Sequence, residues 1–480
     1  MTMNFDERKK SIIEYSNQVA HKRDYWIKKN HSFYSDDRSF MNFLIESNLK
    51  ILDIGCGTGD LLSSLKPKYG MGIDFSPNMI QIAKKRYPNF DFVQGDVEDK
   101  NFVEKINKKF DVIILSDVFG YFNDCQNTLN NLQHFCNFNT RIIIAYHSWF
   151  WEPILKIGEK LGLKMPSVEL NWLSNDEILN FLKLTNFEPI KHETRQILPK
   201  KLFGLGTFFN KYIGTLPVIK KLSIRNYLVA RSLNYSFSDK NNPSTSIIIP
   251  CRNEKGNIEN IVKRIPKFCK DLEIIFVEGH SKDGTLDEIH HIIKKYSKLN
   301  IQAFIQDGRG KGDAVRKGFF KAKGDILMIL DADMTVPPEE LPKFYKAILN
   351  GSGDFINGTR LVYPMQDQAM RFLNFLANRI FSWLFSWLLN QKYTDTLCGT
   401  KVLSKKNYER VLKNRDYFGD FDPFGDFDLI FGSAKLNLKT IEIPIRYKAR
   451  EYGETQISRF TDGWLLIKMV VFAYRKLKII

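Results

Sequence analysis

The chain has 480 residues, of which 43% are hydrophobic and 26% are charged, and its formal net charge at pH 7 is +17. At about 100–200 residues per domain, this length predicts two to four domains, of which two is the simplest count. The composition excludes a largely disordered chain, since no long stretch is poor in apolar residues. The excess positive charge indicates an anionic partner, such as nucleic acid, a membrane surface or a phosphorylated substrate.

The distribution of cysteine, histidine and apolar residues indicates the redox state and the location to expect for the chain. The six cysteines form no Cys-x-x-Cys pair, and the eight histidines show no zinc-type spacing. Residues 1–10 have no apolar core of signal-peptide type, and no apolar run reaches the roughly 18 residues of a spanning helix. We therefore expect a reduced, cytoplasmic chain. Nucleic acid is not expected as a partner, because no C2H2 spacing or aromatic RNA-binding signature is present.

The first half of the chain alternates strand-like apolar runs with longer segments of helical period. The runs are Ile51-Leu52, Met71-Gly72-Ile73, Phe92-Val93, Val112-Ile113-Ile114-Leu115 and Ile142-Ile143-Ile144-Ala145. This alternation predicts an α/β domain with a parallel sheet. A last strand candidate, Tyr227-Leu228-Val229-Ala230, precedes a stretch rich in turn formers. We place a first domain at residues 1–235 and a linker at residues 236–244.

The alternation restarts in the second half and predicts another α/β domain at residues 245–480. Its strand candidates are Ser246-Ile247-Ile248-Ile249, Glu273-Ile274-Ile275-Phe276-Val277 and Ile326-Leu327-Met328-Ile329-Leu330. Two later segments, residues 371–390 and 464–478, are amphipathic. In the first, polar residues recur every four positions at Asn374, Asn378, Ser382, Ser386 and Asn390. The apolar face that remains carries Trp383 and Trp387, and it requires either lipid or a protein core.

A glycine-rich turn follows the first strand candidate. Asp53-Ile54-Gly55-Cys56-Gly57-Thr58-Gly59 comes directly after Ile51-Leu52 and opens a predicted helix. Such a turn exposes backbone N–H groups and lets a ligand approach closely. The spacing differs from the dinucleotide Gly-x-Gly-x-x-Gly motif, because position 60 is Asp. Asp74 ends the next strand, where a carboxylate can accept hydrogen bonds from a ribose diol.

Together with the stretches around Asp74, Gly95-Asp96-Val97 and Phe110-Asp111-Val112, this turn resembles the class I S-adenosylmethionine-dependent methyltransferases. The resemblance covers most of residues 45–235. It implies S-adenosylmethionine as cofactor, with Asp53 and the glycine turn facing its methionine part, Asp74 its ribose and Asp96 its adenine. The cofactor-binding residues implied are Asp53, Gly55, Gly57, Gly59, Asp74, Met79, Asp96 and Val97.

The methyl acceptor leaves less trace in the sequence. Asp117, Tyr121, His147 and Trp151 lie at or after predicted strand ends that could face an acceptor. A lone histidine or tryptophan is more often structural, so these four residues stay as candidates beside that plainer interpretation.

The second half brings three polar loops to predicted strand ends. They begin with Pro250-Cys251-Arg252-Asn253-Glu254, with Glu278-Gly279-His280-Ser281 and with Asp331-Ala332-Asp333. A further basic loop, which is rich in glycine, contains Lys311. The carboxyl ends of parallel strands share one edge of a sheet, so these loops are expected to meet. Two carboxylates at alternate positions can hold a hard divalent ion that also binds a diphosphate.

This order of loops resembles the family 2 inverting glycosyltransferases of GT-A fold, especially enzymes that glycosylate dolichyl or polyprenyl phosphate. The resemblance implies a UDP- or GDP-sugar held by Pro250, Asn253, Glu254, Glu278, Lys311, Asp331, Ala332 and Asp333. It also implies Mg²⁺ or Mn²⁺ on Asp331 and Asp333. Glu278-Gly279 replaces two aspartates common in the family. The loop Arg450-Glu451-Tyr452-Gly453-Glu454-Thr455-Gln456 is similar to a loop of the lipid-phosphate enzymes, with Gln456 in place of a lysine.

The chemistry of the sugar acceptor separates two sets of candidates. A hydroxyl acceptor needs a general base, for which Asp426 and Asp428 are candidates beside the catalytic Asp333. A lipid phosphate is already an anionic nucleophile and needs only cationic positioning, for which we assign Arg360 and Arg450. The sequence offers both possibilities.

The fold class predicted is thus two Rossmann-like α/β domains, a methyltransferase sheet followed by a GT-A domain with amphipathic C-terminal helices. The function predicted is bifunctional: metal-dependent inverting sugar transfer to a polyprenyl phosphate or glycan, and methylation of a related small molecule or glycoconjugate. Peripheral contact with the cytoplasmic face of a membrane is expected. The alternatives are a noncatalytic, scaffolding first domain, and a nucleic acid as methyl acceptor, which would bind less tightly as salt rises.

Overall fold

A computed structural model describes residues 5–168, 170–234, 242–363, 372–419, 422, 425–450, 452 and 459–480. Its contacts divide the chain into two compact units, Met1–Tyr235 with Lys478–Ile480, and Ser236–Leu477. Most of the proposed linker, residues 236–241, lies outside the described residues. All six cysteines are free and buried. Within the described part of the chain, no helix combines the length and apolar character needed to span a membrane.

Within its described residues, the first unit contains seven strands and ten α-helices. The strands are β1 Lys50–Ile54, β2 Tyr69–Asp74, β3 Asp91–Gln94, β4 Val112–Ser116, β5 Arg141–His147, β6 Phe187–Arg195 and β7 Arg225–Ser232. The helices are α1 Phe5–Val19, α2 Arg23–Lys29, α3 His31–Leu44, α4 Asp60–Ser64, α5 Pro77–Arg86, α6 Lys100–Glu104, α7 Cys125–Leu132, α8 Glu152–Lys160, α9 Asn175–Leu184 and α10 Leu205–Phe208.

The first sheet has the order β3-β2-β1-β4-β5-β7-β6. The five strands from β3 to β5 are parallel, as the sequence predicts. Beyond the strands of that prediction the sheet is mixed, because β7 pairs antiparallel with both β5 and β6. The α/β fold class is confirmed, and the predicted strand at residues 227–230 is confirmed as part of β7.

The central strands of this sheet are apolar on both faces because both faces are covered. In β4, Ile113 and Leu115 belong to one core cluster, whereas Val112 and Ile114 belong to the other. Successive residues of a strand point to opposite faces, so a nearly continuous apolar run is required. The same alternation explains the unbroken run of β5 and fixes its register against β4.

The last three residues pack within the first unit, although the sequence analysis assigned them to the second domain. Lys478 is fully buried, and its Nζ lies 2.8 Å from Oε2 of Glu193. Burial lowers the pKa of Lys478 to about 8. The buried ion pair anchors this short tail to β6.

The part of the second unit that the structure describes also forms seven strands. They are β8 Thr245–Cys251, β9 Leu272–Glu278, β10 Asn300–Ile305, β11 Ile326–Ile329, β12 Phe355–Thr359, β13 Lys401–Ser404 and β14 Thr440–Pro444. The helices are α11 Ile258–Arg264, α12 Thr285–Lys295, α13 Lys311–Lys321, α14 Leu341–Leu349, α15 Phe372–Leu389, α16 Lys405–Lys413, α17 Phe427–Lys435 and α18 Arg459–Leu477.

The second sheet has the order β10-β9-β8-β11-β13-β12-β14. The strands β10, β9, β8 and β11 are parallel, so their carboxyl ends lie at one edge. The strand β13 runs antiparallel to both of its neighbours. The α/β fold class is therefore confirmed for this unit as well, with a mixed sheet.

Helix α15 places its polar row against the protein. Asn378 Nδ2 donates to Asp395 Oδ1 at 3.1 Å, and Ser382 Oγ donates to the carbonyl of Thr394 at 2.8 Å. Part of its apolar side, including Phe385, is buried, whereas Trp383 is 61% exposed. The side chains of Asn374 and Phe375 lie outside the described residues. The apolar face thus serves both as core and as outer surface.

Candidate functional sites

The glycine turn of the first unit connects β1 to α4. Gly55, Gly57 and Gly59 have φ angles of 69°, 54° and 78°. These positive φ angles are unfavourable for residues other than glycine. The Gly57 N–H donates to Asp74 Oδ2 at 2.9 Å, and the Ser76 N–H donates to Asp74 Oδ1 at 2.9 Å. Asp74, at the end of β2, therefore holds the turn through backbone donors.

Two buried carboxylates lie behind this turn. Burial raises the pKa of Asp53 to about 7, although the nearby Arg23 guanidinium opposes the rise. Burial also raises the pKa of Asp74, against the lowering effect of the Ser76 and Gly57 N–H groups. A cationic ligand at the turn would favour ionised carboxylates. The site therefore suits a group that carries positive charge.

Arg23, from α2, was not predicted as a site residue. A Cβ atom on Gly57 would lie 3.0 Å from Arg23 Nε, so the guanidinium lies directly against the turn. No motif marks this residue, because it lies in a helix about 30 residues before the turn and meets it only in the fold. A guanidinium at this position can bind a carboxylate of a ligand.

A cavity of about 210 Å³ opens beside the turn. Of the predicted cofactor residues, Gly55, Gly57, Asp74 and Met79 line it. The predicted residues Asp53, Gly59, Asp96 and Val97 are not part of its lining. Asp96 is instead ion-paired with Lys9 of α1, and the Val97 carbonyl accepts from Asn131 Nδ2 at 3.0 Å.

The cavity continues past the turn to the ends of β4 and β5. Three of the candidate acceptor residues, Asp117, Tyr121 and His147, line this part. Trp151 does not line it, and its Nε1 donates to the carbonyl of Leu222 at 2.9 Å. The glycine turn and the candidate acceptor residues therefore share one cavity.

In the second unit, the loops after β8 and β9 are locked together. The Asn253 N–H donates to Ser281 Oγ, and the Lys282 N–H donates to Asn253 Oδ1, each at 2.9 Å. Glu278, the last residue of β9, accepts from the Ser281 N–H at 2.5 Å. Pro250 lies within β8, beside Val277 of β9. Four of the residues predicted to bind the nucleotide sugar thus lie at the ends of two neighbouring strands or on the joined loops that follow them: Pro250, Asn253, Glu254 and Glu278.

The Asp331 carboxylate forms the centre of a second cluster. Lys311, the first residue of α13, places Nζ 2.7 Å from Asp331 Oδ1. Burial disfavours the charge of Asp331, but the Lys311 ammonium outweighs it and holds the carboxyl pKa below its usual value. A Cβ on Gly399 would lie 1.9 Å from Asp331 Oδ2, so only glycine fits at position 399. The sequence analysis did not identify Gly399.

Asp333 is joined to the loop after β8 by an arginine. Its Oδ1 accepts from Thr335 Oγ1 at 2.8 Å, and its Oδ2 accepts from Arg450 at 2.9 Å. Arg450 also donates to Glu254 Oε1 at 2.9 Å. The structure thus places Arg450, predicted as an acceptor residue, between two predicted donor residues. Glu451 and residues 453–458 of the same loop lie outside the described residues.

The two candidate bases lie in different surroundings. Buried Asp426 has Oδ1 at 3.3 Å from Lys401 Nζ and 3.9 Å from Lys311 Nζ, so it belongs to the Asp331 cluster. Asp428 instead contacts Arg316 at 3.4 Å and Arg415 at 3.2 Å. The structure therefore brings only Asp426 to the lysine that contacts Asp331.

Arg360 forms a bidentate pair with Asp395. Its Nε donates to Asp395 Oδ2 at 2.6 Å, and a terminal nitrogen donates to Asp395 Oδ1 at 2.8 Å. The guanidinium also lies 5.2 Å from the ring centre of Tyr447. Two N–H groups of Arg360 thus form hydrogen bonds within the protein. Contact of Arg360 with the sugar acceptor stays a prediction.

The donor set at Asp331 and Asp333 fits a hard divalent ion, because carboxylate oxygens are the ligands that Mg²⁺ and Mn²⁺ prefer. Both carboxylates lie just beyond β11, and each now contacts one cation of the chain. Among the described residues, no group of three or more His, Cys, Asp or Glu residues could hold a metal. A two-carboxylate site would need further oxygens from a substrate diphosphate.

One α/β unit thus has a glycine turn beside a cavity, and the other has a lysine-carboxylate cluster just beyond its strand ends. Residues 45–184 match the family described as "Methyltransferase domain", and residues 246–410 match "Glycosyl transferase family 2". Residues 45–184 therefore carry a methyltransferase domain, and residues 246–410 carry a family 2 glycosyltransferase domain.

Curated relatives match one half of the chain. The low-salt glycan biosynthesis hexosyltransferase Agl6 of Haloferax volcanii is 26% identical over 48% of this chain and 53% of its own length. The dolichol-phosphate mannosyltransferase of Pyrococcus furiosus is 29% identical over 48% of this chain and 63% of its own. The dolichol-phosphate mannosyltransferase of Saccharomyces cerevisiae is 35% identical over 24% of this chain and 44% of its own length. The chain thus spans about half the length of these relatives.

Solved structures resemble each half distantly. A methyltransferase of Thermotoga maritima, described as a possible histamine N-methyltransferase, has a TM-score of 0.35 and 15% identity, and the match covers 45% of this chain and 96% of that one. Glucosyl-3-phosphoglycerate synthase of Mycobacterium tuberculosis has a TM-score of 0.37 and 14% identity, covering 51% and 82%.

Proposed function

We propose that the protein is a bifunctional transferase. Its second unit transfers a sugar, with inversion, from a nucleotide sugar to a polyprenyl phosphate or a glycan. Its first unit transfers a methyl group from S-adenosylmethionine to a related small molecule or glycoconjugate. The observation that carries the proposed sugar transfer is the cluster of Lys311, Asp331 and Asp333 beside the joined loops after β8 and β9.

The donor would lie across that cluster. Asp331 and Asp333 would hold Mg²⁺ or Mn²⁺, which when bound supplies positive charge that stabilises the departing diphosphate. Lys311 Nζ, now on Asp331, can donate to a phosphate oxygen once the carboxylate is engaged elsewhere. Arg450 now donates to Asp333 and Glu254, and it can likewise donate to a phosphate once Asp333 is engaged elsewhere. Glu254 and Glu278 are proposed to accept from the nucleoside part.

The acceptor determines which chain residue assists it. A polyprenyl phosphate brings its own negative charge, so positioning by Arg450 or Arg360 is sufficient. A glycan hydroxyl must lose a proton, and Asp426 is the proposed base because, unlike Asp428, it lies in the cluster of Lys311 and Asp331 where the donor would bind. The names of the relatives from Pyrococcus and Saccharomyces, which are dolichol-phosphate mannosyltransferases, favour the lipid phosphate.

The outer surface of α15 and α18 supports action at a lipid. The two helices are adjacent, because the rings of Trp387 and Tyr474 lie 5.7 Å apart. The exposed apolar residues of this surface are Leu376, Ile380, Trp383, Trp464, Ile467 and Val471. Exposed Lys468 and Arg475 lie on the same helix as Trp464. An apolar surface with basic neighbours fits an anionic lipid bilayer. We place the enzyme at the cytoplasmic face of a membrane.

Vesicle sedimentation tests this membrane contact. The double variant Trp383→Glu and Trp464→Glu is expected to bind phosphatidylglycerol vesicles about tenfold or more weakly, because each glutamate removes apolar contact and repels the lipid. The control is Phe320→Glu, since Phe320 is exposed on α13, outside this surface. Equal binding by the wild type and the double variant would reject the membrane assignment.

Sugar transfer is tested with radiolabelled UDP- and GDP-sugars, Mg²⁺ or Mn²⁺, and two acceptors. Undecaprenyl phosphate in vesicles and a water-soluble oligosaccharide are offered separately to the full-length protein. Labelled lipid supports the phosphate acceptor, and labelled oligosaccharide supports the glycan. No transfer to either acceptor by a protein that binds the donor would count against the proposed sugar transfer.

Methyl transfer is tested by the fate of tritiated S-adenosylmethionine. Binding followed by transfer of label supports a catalytic first unit. Binding without transfer to any acceptor supports the alternative, in which this unit is a scaffold and sugar transfer is the sole activity.

A further inference from the structure

A histidine and an aspartate meet where the cavity of the first unit passes the ends of β4 and β5. His147 is the last residue of β5, and Asp117 directly follows β4. These strands are parallel neighbours, with Ser116 beside Ala145, so both side chains emerge at one edge of the sheet. His147 Nδ1 lies 3.1 Å from Asp117 Oδ1. Because a carboxylate only accepts hydrogen bonds, Nδ1 must carry the proton.

The Asp117 carboxylate is fixed by a buried arginine. Arg225 of β7 pairs with Asp117 and donates to Ser116 Oγ at 2.9 Å and to Asp37 Oδ1 at 2.8 Å. Burial opposes the charge of Asp117, but Arg225 and His147 hold its carboxyl pKa well below the usual value. Asp117 therefore remains an anion that orients the histidine.

The ring of His147 is held from a second side. Phe33 of α3 stacks on it with ring centres 5.7 Å apart and planes 9° from parallel. With Nδ1 donating to Asp117, the lone pair of the ring is on Nε2. Within the described part of the chain, no hydrogen bond to Nε2 is formed, and the ring lines the cavity. A fixed imidazole with an available lone pair is the arrangement of a general base.

The same cavity reaches the glycine turn. A Cβ on Gly55 would lie 2.6 Å from Cγ2 of Val118, which is the residue after Asp117. Gly55, Gly57 and His147 all line the cavity. A methyl donor held at the turn would therefore share its chamber with Nε2 of His147.

We infer that this chamber binds a hydroxyl-bearing methyl acceptor and that His147 Nε2 removes the hydroxyl proton. The inference rests on the methyl transfer proposed above and names its acceptor class and base. A neutral hydroxyl is a poor nucleophile and needs a base, whereas a carboxylate or phosphate acceptor would not. The flat side chains of Tyr34, Tyr121 and Trp172 line the chamber and suit the apolar face of a sugar or aromatic ring.

The step balances as follows. Nε2 takes the proton of the acceptor hydroxyl, and an oxygen lone pair forms the new bond to the methyl carbon. The bond between that carbon and sulfur breaks, and its electron pair returns to sulfur. The products are a methyl ether, neutral S-adenosylhomocysteine and a protonated His147, so the positive charge moves from sulfonium to imidazolium. Asp117 stabilises this imidazolium, and Arg225 positions Asp117.

The test uses full-length protein, tritiated S-adenosylmethionine and two kinds of probe. The hydroxyl probes are the methyl glycosides of glucose, mannose and galactose, and the anionic probe is benzoate. His147→Gln is expected to lower kcat for a hydroxyl probe about 100-fold or more, with affinity for S-adenosylmethionine changed less than threefold. The control is His192→Gln, because His192 accepts from or donates to Asn226 outside the chamber lining. Exogenous imidazole is expected to restore part of the activity of His147→Ala, which a purely structural role would not allow.

Four outcomes would count either against the general base and the hydroxyl acceptor, or against methyl transfer itself. Unchanged kcat in His147→Gln overturns the base, and transfer to benzoate alone overturns the hydroxyl class; both leave methyl transfer intact. Failure to bind S-adenosylmethionine, or binding without transfer to any probe, rejects the proposed methyl transfer and the inference with it.

Discussion

The carboxylates of the two sites are held in different ways. In the first unit, Asp74 accepts hydrogen bonds from the backbone N–H groups of Gly57 and Ser76. In the second, Asp331 and Asp333 contact the side-chain cations of Lys311 and Arg450. Backbone donors cannot leave the carboxylate without unfolding the turn, whereas a lysine or arginine side chain can rotate away.

This difference indicates two kinds of ligand. The buried carboxylates of Asp53 and Asp74, the second of them held by backbone N–H groups, have raised pKa values and remain available to a cation, such as the ammonium and sulfonium of S-adenosylmethionine. Carboxylates paired with side-chain cations can exchange those cations for a metal ion, which frees Lys311 and Arg450 for a diphosphate. The predictions below test whether the two arrangements act independently.

The largest effect is expected from Asp331→Asn. Loss of this carboxylate removes a metal ligand and leaves Lys311 without its ion-pair partner, so turnover of the nucleotide sugar should fall about 10³-fold or more. S-adenosylmethionine affinity should not change. The control is Asp307→Asn. Asp307 is exposed and forms an ion pair with Lys317 in the same unit. Near-normal donor turnover in Asp331→Asn would remove this carboxylate from the site.

Arg225→Met should have the next largest effect, on stability. The substitution leaves Asp37 and Asp117 without their shared cation, which should destabilise the first unit by about 3 kcal/mol. Calorimetry should show a lowered transition for this unit, by about 6–10 °C, and an unchanged transition for the second. Arg86→Met, which breaks the more exposed pair with Asp24, should cost at most about 1 kcal/mol. Equal losses in the two variants would contradict the network.

Gly57→Ala should weaken S-adenosylmethionine binding about tenfold or more. The residue has a φ of 54°, and a Cβ would crowd the Arg23 guanidinium at 3.0 Å. Gly162→Ala is the matched control, because Gly162 has a φ of 66° but no atom within 4 Å of the added Cβ. Both variants should lose about 1 kcal/mol of stability from backbone strain. Isothermal titration separates the two effects, and an equal affinity in both variants would refute the cofactor turn.

The smallest effect is a pH dependence. The pKa of Asp53 is raised from 3.8 to about 7, so its carboxylate loses charge as pH falls below 7. S-adenosylmethionine affinity should therefore fall about tenfold between pH 7.5 and 5.5. Asp53→Asn should bind more weakly and without this slope. Because the folded state holds the proton more tightly, the contribution of Asp53 to stability declines as pH rises from about 4 to 7. A wild-type affinity that rises on acidification would contradict this assignment.

Most of the strands that the sequence predicts are buried along almost their whole length, although the predicted β3 is partly exposed and the buried strands β12 and β13 were missed. The runs in β1, β4, β5, β8, β9 and β11 are apolar because nearly every residue of these strands is buried. By contrast, β6 was missed: Phe187–Arg195 contains Pro189 and several charged residues, and it lies at an edge of the sheet. A strand paired on one side lacks the apolar signal of a central strand.

The candidate sites follow the same logic. Residues at strand ends, such as Asp74 and Asp331, could be found because sheet topology places strand ends together. The cations that contact them could not be assigned, since Arg450 reaches Glu254 across 196 positions and Arg225 reaches Asp37 across 188. Such pairs depend on helix packing and loop paths, which leave no local pattern. The metal, the acceptors and the roles of individual site residues stay predictions.

The most direct test of two separate sites is calorimetric titration of the full-length chain with S-adenosylmethionine, and separately with UDP- and GDP-sugars in the presence of Mn²⁺. The wild type should bind both kinds of ligand. Gly57→Ala should lose affinity for S-adenosylmethionine alone, and Asp331→Asn for the sugar nucleotide alone. Absence of S-adenosylmethionine binding in the wild type, or loss of both ligands in either variant, would contradict the account.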